Sequence, residues 1–435
     1  MFRQTVVATL AVATLAIVPT CAVAAAPAAP GIGSLTTPPP PPPDPHPDPD
    51  PADPPITAQP QGPAPGPQDL VSEPVVEPEA FASEIEDRLG GADGPVGYAY
   101  AITRNGQLAA ADGIGDARAA VDGQQGFTED TRLEVMSVTK PMSAMALQKL
   151  LAQRGIPVDT PIGAYLPATW EKGPAFEPDS ANPVTFRHLL THTSGFKQYI
   201  DGLPDPDVYG NTWDGMQLLA ASDLTPGGTP KYKNANYVMV RVLIARLTGV
   251  AGLGIGPLAF VTENNNSKKY LKYLNKEVFS KAGVPNVRCW VDDDEEDTAA
   301  LVYDRDDVAA GGRLIERDGD SRKHCGGHTG LHLSAIDLVK VATYLRRTEN
   351  ILPALARDRM FSDLLGWNRS SNNPDEGSLG FWWHDGWGHW FSGATERQVF
   401  TCVMALRQNY EAALVMNSLP GNTCGTLKAA FEDAA

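Results

Sequence analysis

Ser137 and Lys140 stand three residues apart at the head of an apolar stretch that runs to Leu151. Residues at that spacing project from one face of a helix, about one turn apart. A serine hydroxyl is a weak nucleophile, and a neighbouring amine with a lowered pKa can take its proton. The chemistry on offer is acyl transfer through a covalent serine intermediate. A helix amino terminus at this point adds partial positive charge for the attacking oxygen and for backbone donors beside it. Such a tetrad is common by itself, and its meaning depends on the residues further along the chain. Tyr232 and Asn234 come after a Pro226-Gly227-Gly228 turn and supply a phenol for proton transfer and a carboxamide to hold a substrate amide. His384, Asp385 and Gly386 lie on a strand-like run, with Trp387 next, and a glycine there lets a ligand approach the backbone closely.

Other candidates carry less. His188 and His192 are four apart, a metal-ligand spacing, but lack a third ligand nearby. His324, His328 and His332 recur every four residues, yet Gly326, Gly327 and Gly330 argue against a helix that would align them, which leaves only a loop-built metal site open. The expectation is therefore no metal and no cofactor. No C-x-x-C, G-x-S-x-G, dinucleotide or P-loop fingerprint occurs. The aromatics Phe381, Trp382, Trp383, Trp387, Trp390 and Phe391 serve either a substrate cleft or the core. Asp292 to Asp297 reads as an exposed acidic loop.

The elements that must position these residues can be read coarsely. Residues 95–103 and 107–113 read as strands around the hairpin signal Asn105-Gly106. A helix starts at Ser137 and should end at Gly155. Helical spacing recurs over 185–193, 235–248, 267–282 and 334–346. The end returns to strands near 379–386, 398–406 and 410–417, with a short helix near 425–433. Strands at both ends around a helical middle predict an α+β fold: one antiparallel sheet built from both chain ends, flanked by helices, with a mainly helical lobe inserted.

The first part of the chain reads differently. Arg3, an apolar run from Val6 to Val18 and the small residues up to Ala26 have the layout of a secretory signal peptide, with cleavage near Ala25 or Ala26. Cys21 is preceded by Val18-Pro19-Thr20, a poor lipobox. Residues 27–78 form a proline-rich linker that cannot bury a core and extends as a polyproline-like spacer. The formal charge is −17; seven acidic side chains and no basic ones fall in 27–78 and Arg3 lies in the leader, which leaves −11 for residues 79–435. So acidic a domain is a poor partner for nucleic acid or anionic lipid. No membrane span is expected, and the reading is a secreted monomer acting on a small-molecule or peptide substrate, in solution or at the cell wall. Four cysteines remain after the leader, Cys289, Cys325, Cys402 and Cys424. An even count in an exported protein predicts two disulfides, and proximity in sequence favours 289–325 with 402–424 among the three pairings.

Ser137-x-x-Lys140, Leu189 to Gly195, Pro226-Gly227, Tyr232-x-Asn234, the run from Asn236 to Gly249 and Gly326 to Asp337 occur in that order over residues 90–420. The chain resembles the serine beta-lactamase-related family, which includes class C beta-lactamases, D-alanyl-D-alanine carboxypeptidases and related esterases. The resemblance implies that Ser137 is acylated, Lys140 is its base, and Tyr232 helps activate it and relays a proton to the leaving group. It also implies that Asn234 binds the acyl-side amide and that the N–H groups of Ser137 and Trp387 form the oxyanion hole, with His192 a structural residue. Two departures stand out. The family's beta-lactamases carry Lys-Thr-Gly as third motif, whereas this chain has His384-Asp385-Gly386, losing a cation for a substrate carboxylate. His389 is a rival head of that motif, but no glycine stands after it at the required place. Lys233 adds a charge inside the Tyr-x-Asn motif. The function implied is a serine hydrolase of small esters, amides or D-amino-acid peptides; carboxypeptidase or beta-lactamase activity is the alternative within the class, and a silent wall-binding protein the alternative outside it.

Overall fold

A computed structural model describes residues 75–196, 213–249, 257–291, 296–315, 325–368, 381–418 and 421–435. The leader, the proline-rich segment up to residue 74, His324 and the acidic residues 292–295 lie outside them.

Helix α1 (Pro78–Leu89) starts with proline at its first position, where the missing N–H costs nothing, and buries Phe81, Ala82, Ile85 and Leu89 on one stripe. Strands β1 (Gly97–Arg104) and β2 (Gln107–Arg118) form a hairpin whose turn residues Asn105 and Gly106 both have positive φ, as the two-residue turn requires. Short β3 (Gln125–Gly126) extends β2, and β4 (Leu133–Glu134) leads into the 3-10 turn Met136–Val138 and helix α2 (Thr139–Gln153). The helical lobe contributes α3 (Phe186–Leu190), α4 (Trp213–Ala221), α5 (Asn234–Leu247) and α6 (Pro257–Leu274). Strand β5 (His332–Leu333) pairs with β4, and helices α7 (Ala335–Arg347) and α8 (Ala354–Ser362) come next. The chain returns through β6 (Trp382–Ser392), β7 (Thr395–Leu406) and β8 (Tyr410–Met416) to helix α9 (Thr423–Asp433).

The main sheet has the order β3-β2-β1-β8-β7-β6, with antiparallel pairing throughout. Strand β1 lies beside β8, so the sheet is built from both ends of the chain. Its two faces follow the period of two along each strand. Ala99, Ala101, Val399, Val403, Ala413 and Val415 face the helical lobe, while Tyr98, Tyr100, Phe400, Met404, Leu414 and Met416 face α1 and α9. Helix α2 runs through the larger core, buried over most of its circumference. The buried carboxylate of Glu411 on β8 pairs with Arg346 and Arg347 of α7 and accepts from Thr103, tying that helix to the sheet.

Some expected bounds shift for local reasons. The helix expected over 185–193 stops at Leu190, because His192 adopts φ 57°. That expected over 267–282 gives way after Leu274 to a π turn, where Asn275 spends its side chain on the Leu271 and Val287 carbonyls. Helix α2 ends at Gln153, with Gly155 left-handed just beyond. Strand β2 runs on to Arg118, pairing down to Gly97↔Gly115. Ahead of α1, Val76 is buried, its N–H donates to Gln408 Oε1 and its carbonyl accepts from the Tyr410 hydroxyl.

The disulfides are Cys289–Cys325 and Cys402–Cys424, each with Cα atoms 5.3 Å apart. Among the described residues no helix is long and apolar enough to cross a membrane.

Candidate active site

Strand β4 delivers Val135, Met136 and Ser137 to the centre of the molecule. Met136 has φ 48°, a left-handed conformation that costs a side-chain-bearing residue energy and is retained only where packing enforces it. The packing comes from β6. A Cβ added to Gly386 would collide with Thr401 Oγ1 and the Val135 carbonyl and lie 3.0 Å from Met136 Cβ. The glycine of the third motif is thus required by the close passage of the chain from Val135 to Ser137. Thr401, its partner on β7, donates to the same Val135 carbonyl at 2.8 Å.

Ser137 occupies the 3-10 turn just before α2, and Lys140 the helix's second position. Lys140 Nζ lies 2.7 Å from Ser137 Oγ and donates to the His328 carbonyl at 3.2 Å. The lysine is fully buried. Loss of solvent drives its pKa well below the usual range, and the Asp385 carboxylate only partly opposes this. The shift is toward the neutral amine, the form that can take a proton from Ser137.

Tyr232 lies over this pair, its ring centroid 4.7 Å from Lys140 Nζ. About half of its surface is exposed (47%), while its hydroxyl turns in toward Ser137 and is raised in pKa chiefly by loss of solvent. His192 clamps the tyrosine segment at three successive residues. Its carbonyl accepts from the Lys231 N–H at 2.8 Å, its ring stacks on Tyr232 at 4.5 Å, and its Nδ1 accepts from the Lys233 N–H at 3.1 Å. With Nδ1 accepting, the neutral ring carries its proton on Nε2. Burial, then Lys140, pushes this imidazole down to about 3, so it stays neutral. Asn236, one helix position past Ala235, is buried and joins His192 Nδ1 to Ser194 Oγ. Residue types and spacing leave His192 and Asn236 outside the site; the signal for them is the place of His192 inside Leu189–Gly195 and of Asn236 at the head of the run to Gly249. Asn234 is the first residue of α5 and is exposed.

His384 is buried on the face of β6 that looks toward the nucleophile, its ring 6.2 Å from that of Tyr232. Its Nδ1–H donates to the Asp385 carbonyl at 2.7 Å, which leaves Nε2 as the free lone pair. Burial, with Lys140 as the next cause, holds its pKa well below the usual value. His389 stands on the opposite face, half-exposed, against Trp387, Phe391 and the Glu396 carboxylate at 3.0 Å. Strand β6 is the outermost of its sheet on that side. The Trp383 carbonyl accepts from the Asn368 N–H on the outer edge at 2.9 Å. In an antiparallel ladder residues of one parity turn both backbone groups to the same edge, so the Trp387 N–H points outward as well. Of the aromatic group, Phe381 belongs to the core, while Trp387 and Phe391 are exposed.

Three of the described histidines are engaged elsewhere. His188 Nδ1 accepts from the Thr185 N–H in a capping box, and His328 and His332 turn Nδ1 to the carbonyls of Gly326 and Gly330. Among the described residues no group of three or more His, Cys, Asp or Glu is placed to hold a metal ion. What the centre can do is deprotonate Ser137 through Lys140 and Tyr232 beside a strand edge that offers an N–H.

Esterase EstB of Burkholderia gladioli is 35% identical over 107 residues, 24% of this chain and 26% of the relative. A putative penicillin-binding protein of Bacillus subtilis (strain 168), PbpX, is 22% identical over 245 residues, 55% of this chain and 52% of the relative. The chain therefore matches only about a quarter and about half of these relatives' own lengths. Among solved structures, EstCE1, a hydrolase with promiscuous acyltransferase activity, superposes with a TM-score of 0.57 at 18% identity over 82% of this chain and 98% of that one, a likeness of fold. The model of the family described as Beta-lactamase matches residues 82–435. With that match over most of its length, the chain belongs to the beta-lactamase family.

Proposed function

We propose that the protein is an exported serine hydrolase that forms an acyl-enzyme at Ser137 and takes neutral esters or amides in preference to beta-lactams. The observation that carries this reading is the fully buried Lys140 amine 2.7 Å from Ser137 Oγ. The proton of Ser137 passes to Lys140 Nζ as Oγ bonds to the substrate carbonyl carbon. The N–H groups of Ser137 and Trp387 receive the oxyanion, and Asn234 holds the acyl-side amide. The proton then reaches the leaving group through the Tyr232 hydroxyl as the scissile bond breaks, and water releases the acyl group by the same path in reverse.

The substrate preference stems from the third motif. His384 is a neutral imidazole in a place where a lysine would stay charged, so the attraction for a substrate carboxylate is weak. The similarity to an esterase supports the same reading. A leader over residues 1–26 and a spacer over 27–78 belong to this proposal, and the two disulfides fit an oxidising compartment.

The test is a hydrolysis panel of p-nitrophenyl esters, D-Ala-D-Ala peptides and nitrocefin, with intact-mass detection of a fluorophosphonate adduct. The expected result is an adduct that Ser137→Ala abolishes, with esters turned over best and His384→Ala slowing turnover more than His389→Ala. Efficient nitrocefin turnover with esters ignored would overturn the substrate preference. Absence of any adduct would instead make the domain a binding module.

A further inference from the structure

Asp385 occupies an unusual place for a carboxylate. It lies on β6 between His384, whose ring is 6.2 Å from Tyr232, and Gly386, which packs against the chain carrying Ser137. The residue is half-buried, and its Oδ1 accepts from Asn368 Nδ2 at 2.5 Å. Asn368 is itself fixed to the strand edge, its N–H donating to the Trp383 carbonyl. The carboxylate is therefore held beside the strand edge rather than sweeping through solvent. It lies along the same outer edge of β6 to which the Trp387 N–H points, and its strand neighbours His384 and Gly386 face the reacting centre. Two imidazoles at the centre, His192 and His384, are held toward the neutral form by burial.

We infer that Asp385 is a specificity-determining residue that selects substrates whose leaving group carries a cation and disfavours those whose leaving group carries a carboxylate. The inference rests on the acyl-transfer reading above. Its direction comes from Coulomb's law, and its side from its place on β6 next to His384, whose ring lies 6.2 Å from that of Tyr232, the residue that hands the proton to the leaving group. Relative to a third motif headed by lysine, the fixed charge at this edge has the opposite sign. The substrate class is an ester or amide of an amino alcohol or diamine, or a peptide with a basic residue just after the scissile bond.

The test uses the full chain and three butyrate esters of similar shape: choline (cationic), 3,3-dimethylbutanol (its neutral isostere) and an alcohol of similar size ending in a carboxylate. At low ionic strength kcat/KM should rank cationic, neutral, anionic, with steps of about 3- to 10-fold, and the spread should shrink in high salt. The acidic domain as a whole also draws cations, so the deciding quantity is the cationic-to-neutral ratio in Asp385→Asn, with Asp385→Ser as a second uncharged variant in case the first folds poorly. That ratio should fall to near that expected from overall charge alone, at least about 3-fold below wild type. A ratio unchanged in the folded variant, or equal turnover of the cationic and neutral esters by the wild type, overturns the role of Asp385. Failure to turn over the neutral ester, with no adduct at Ser137, would instead remove the hydrolase reading and this inference with it.

Discussion

Lys140, the base of the proposed mechanism, weighs against the fold that holds it. In the unfolded chain its amine binds a proton up to about pH 10.4, while the buried amine releases it far lower. Between those values the unfolded state holds the extra proton, so stability from this group rises with pH and is diminished at pH 7. Lys140→Met should therefore lower acylation by about 10² to 10⁴, read as the rate of adduct formation, while the melting temperature at pH 7 rises. Loss of both activity and stability would contradict this account. The buried histidines have the matching sign. His192 titrates near 3 and His188, His332 and His384 are also depressed, whereas in the unfolded chain each takes a proton near 6.5. Stability should fall as pH drops from about 6.5, well before the carboxylates titrate, measurable as the urea midpoint between pH 7 and 4. At this scale the sequence was legible where a motif spaces reacting groups closely, as in Ser137-x-x-Lys140. It was not legible for His192, because stacking on Tyr232 joins residues 40 positions apart that no local period links.

At the scale of elements, the site depends on how closely β6 approaches the chain before the nucleophile. Gly386→Ala would place a methyl group on the Val135 carbonyl and Thr401 Oγ1, and neither neighbour is the free end of a flexible side chain. The expected result is a loss of about 1–3 kcal/mol in stability and at least tenfold in kcat/KM, since Ser137 and the Trp387 N–H would part. The disulfides separate two effects. Cys289–Cys325 anchors the start of the loop whose His328 carbonyl receives Lys140, while Cys402–Cys424 ties β7 to α9 on the far face. Paired serine substitutions should destabilise at either place by about 2–4 kcal/mol. Only the 289/325 pair should lower kcat at temperatures where both proteins are folded. The period of two in β1, β7 and β8 and the Asn105-Gly106 turn made the sheet readable. Helix α1 was missed because Phe81, Ala82, Ile85 and Leu89 come directly after a proline-rich segment whose composition masked their helical spacing.

For the molecule as a whole, the site is assembled from parts far apart along the chain. Ser137 and Lys140 come early, Tyr232 from the middle, and His384 and Trp387 from near the end, while β1 finds its neighbour only in β8. This arrangement sets a clock on the enzyme's own reactivity. At about 5–20 residues per second, the roughly 250 residues between Ser137 and Trp387 take about 12–50 seconds to synthesise. Throughout that interval the serine lacks the strand that supplies an oxyanion donor and holds Met136 in its left-handed turn. A nascent chain halted before residue 382 should take up no fluorophosphonate, and one released after residue 435 should label fully. On the proposed mechanism the serine is thus kept harmless by the order in which the polypeptide is made, and it becomes reactive only when the last strands close the sheet behind it.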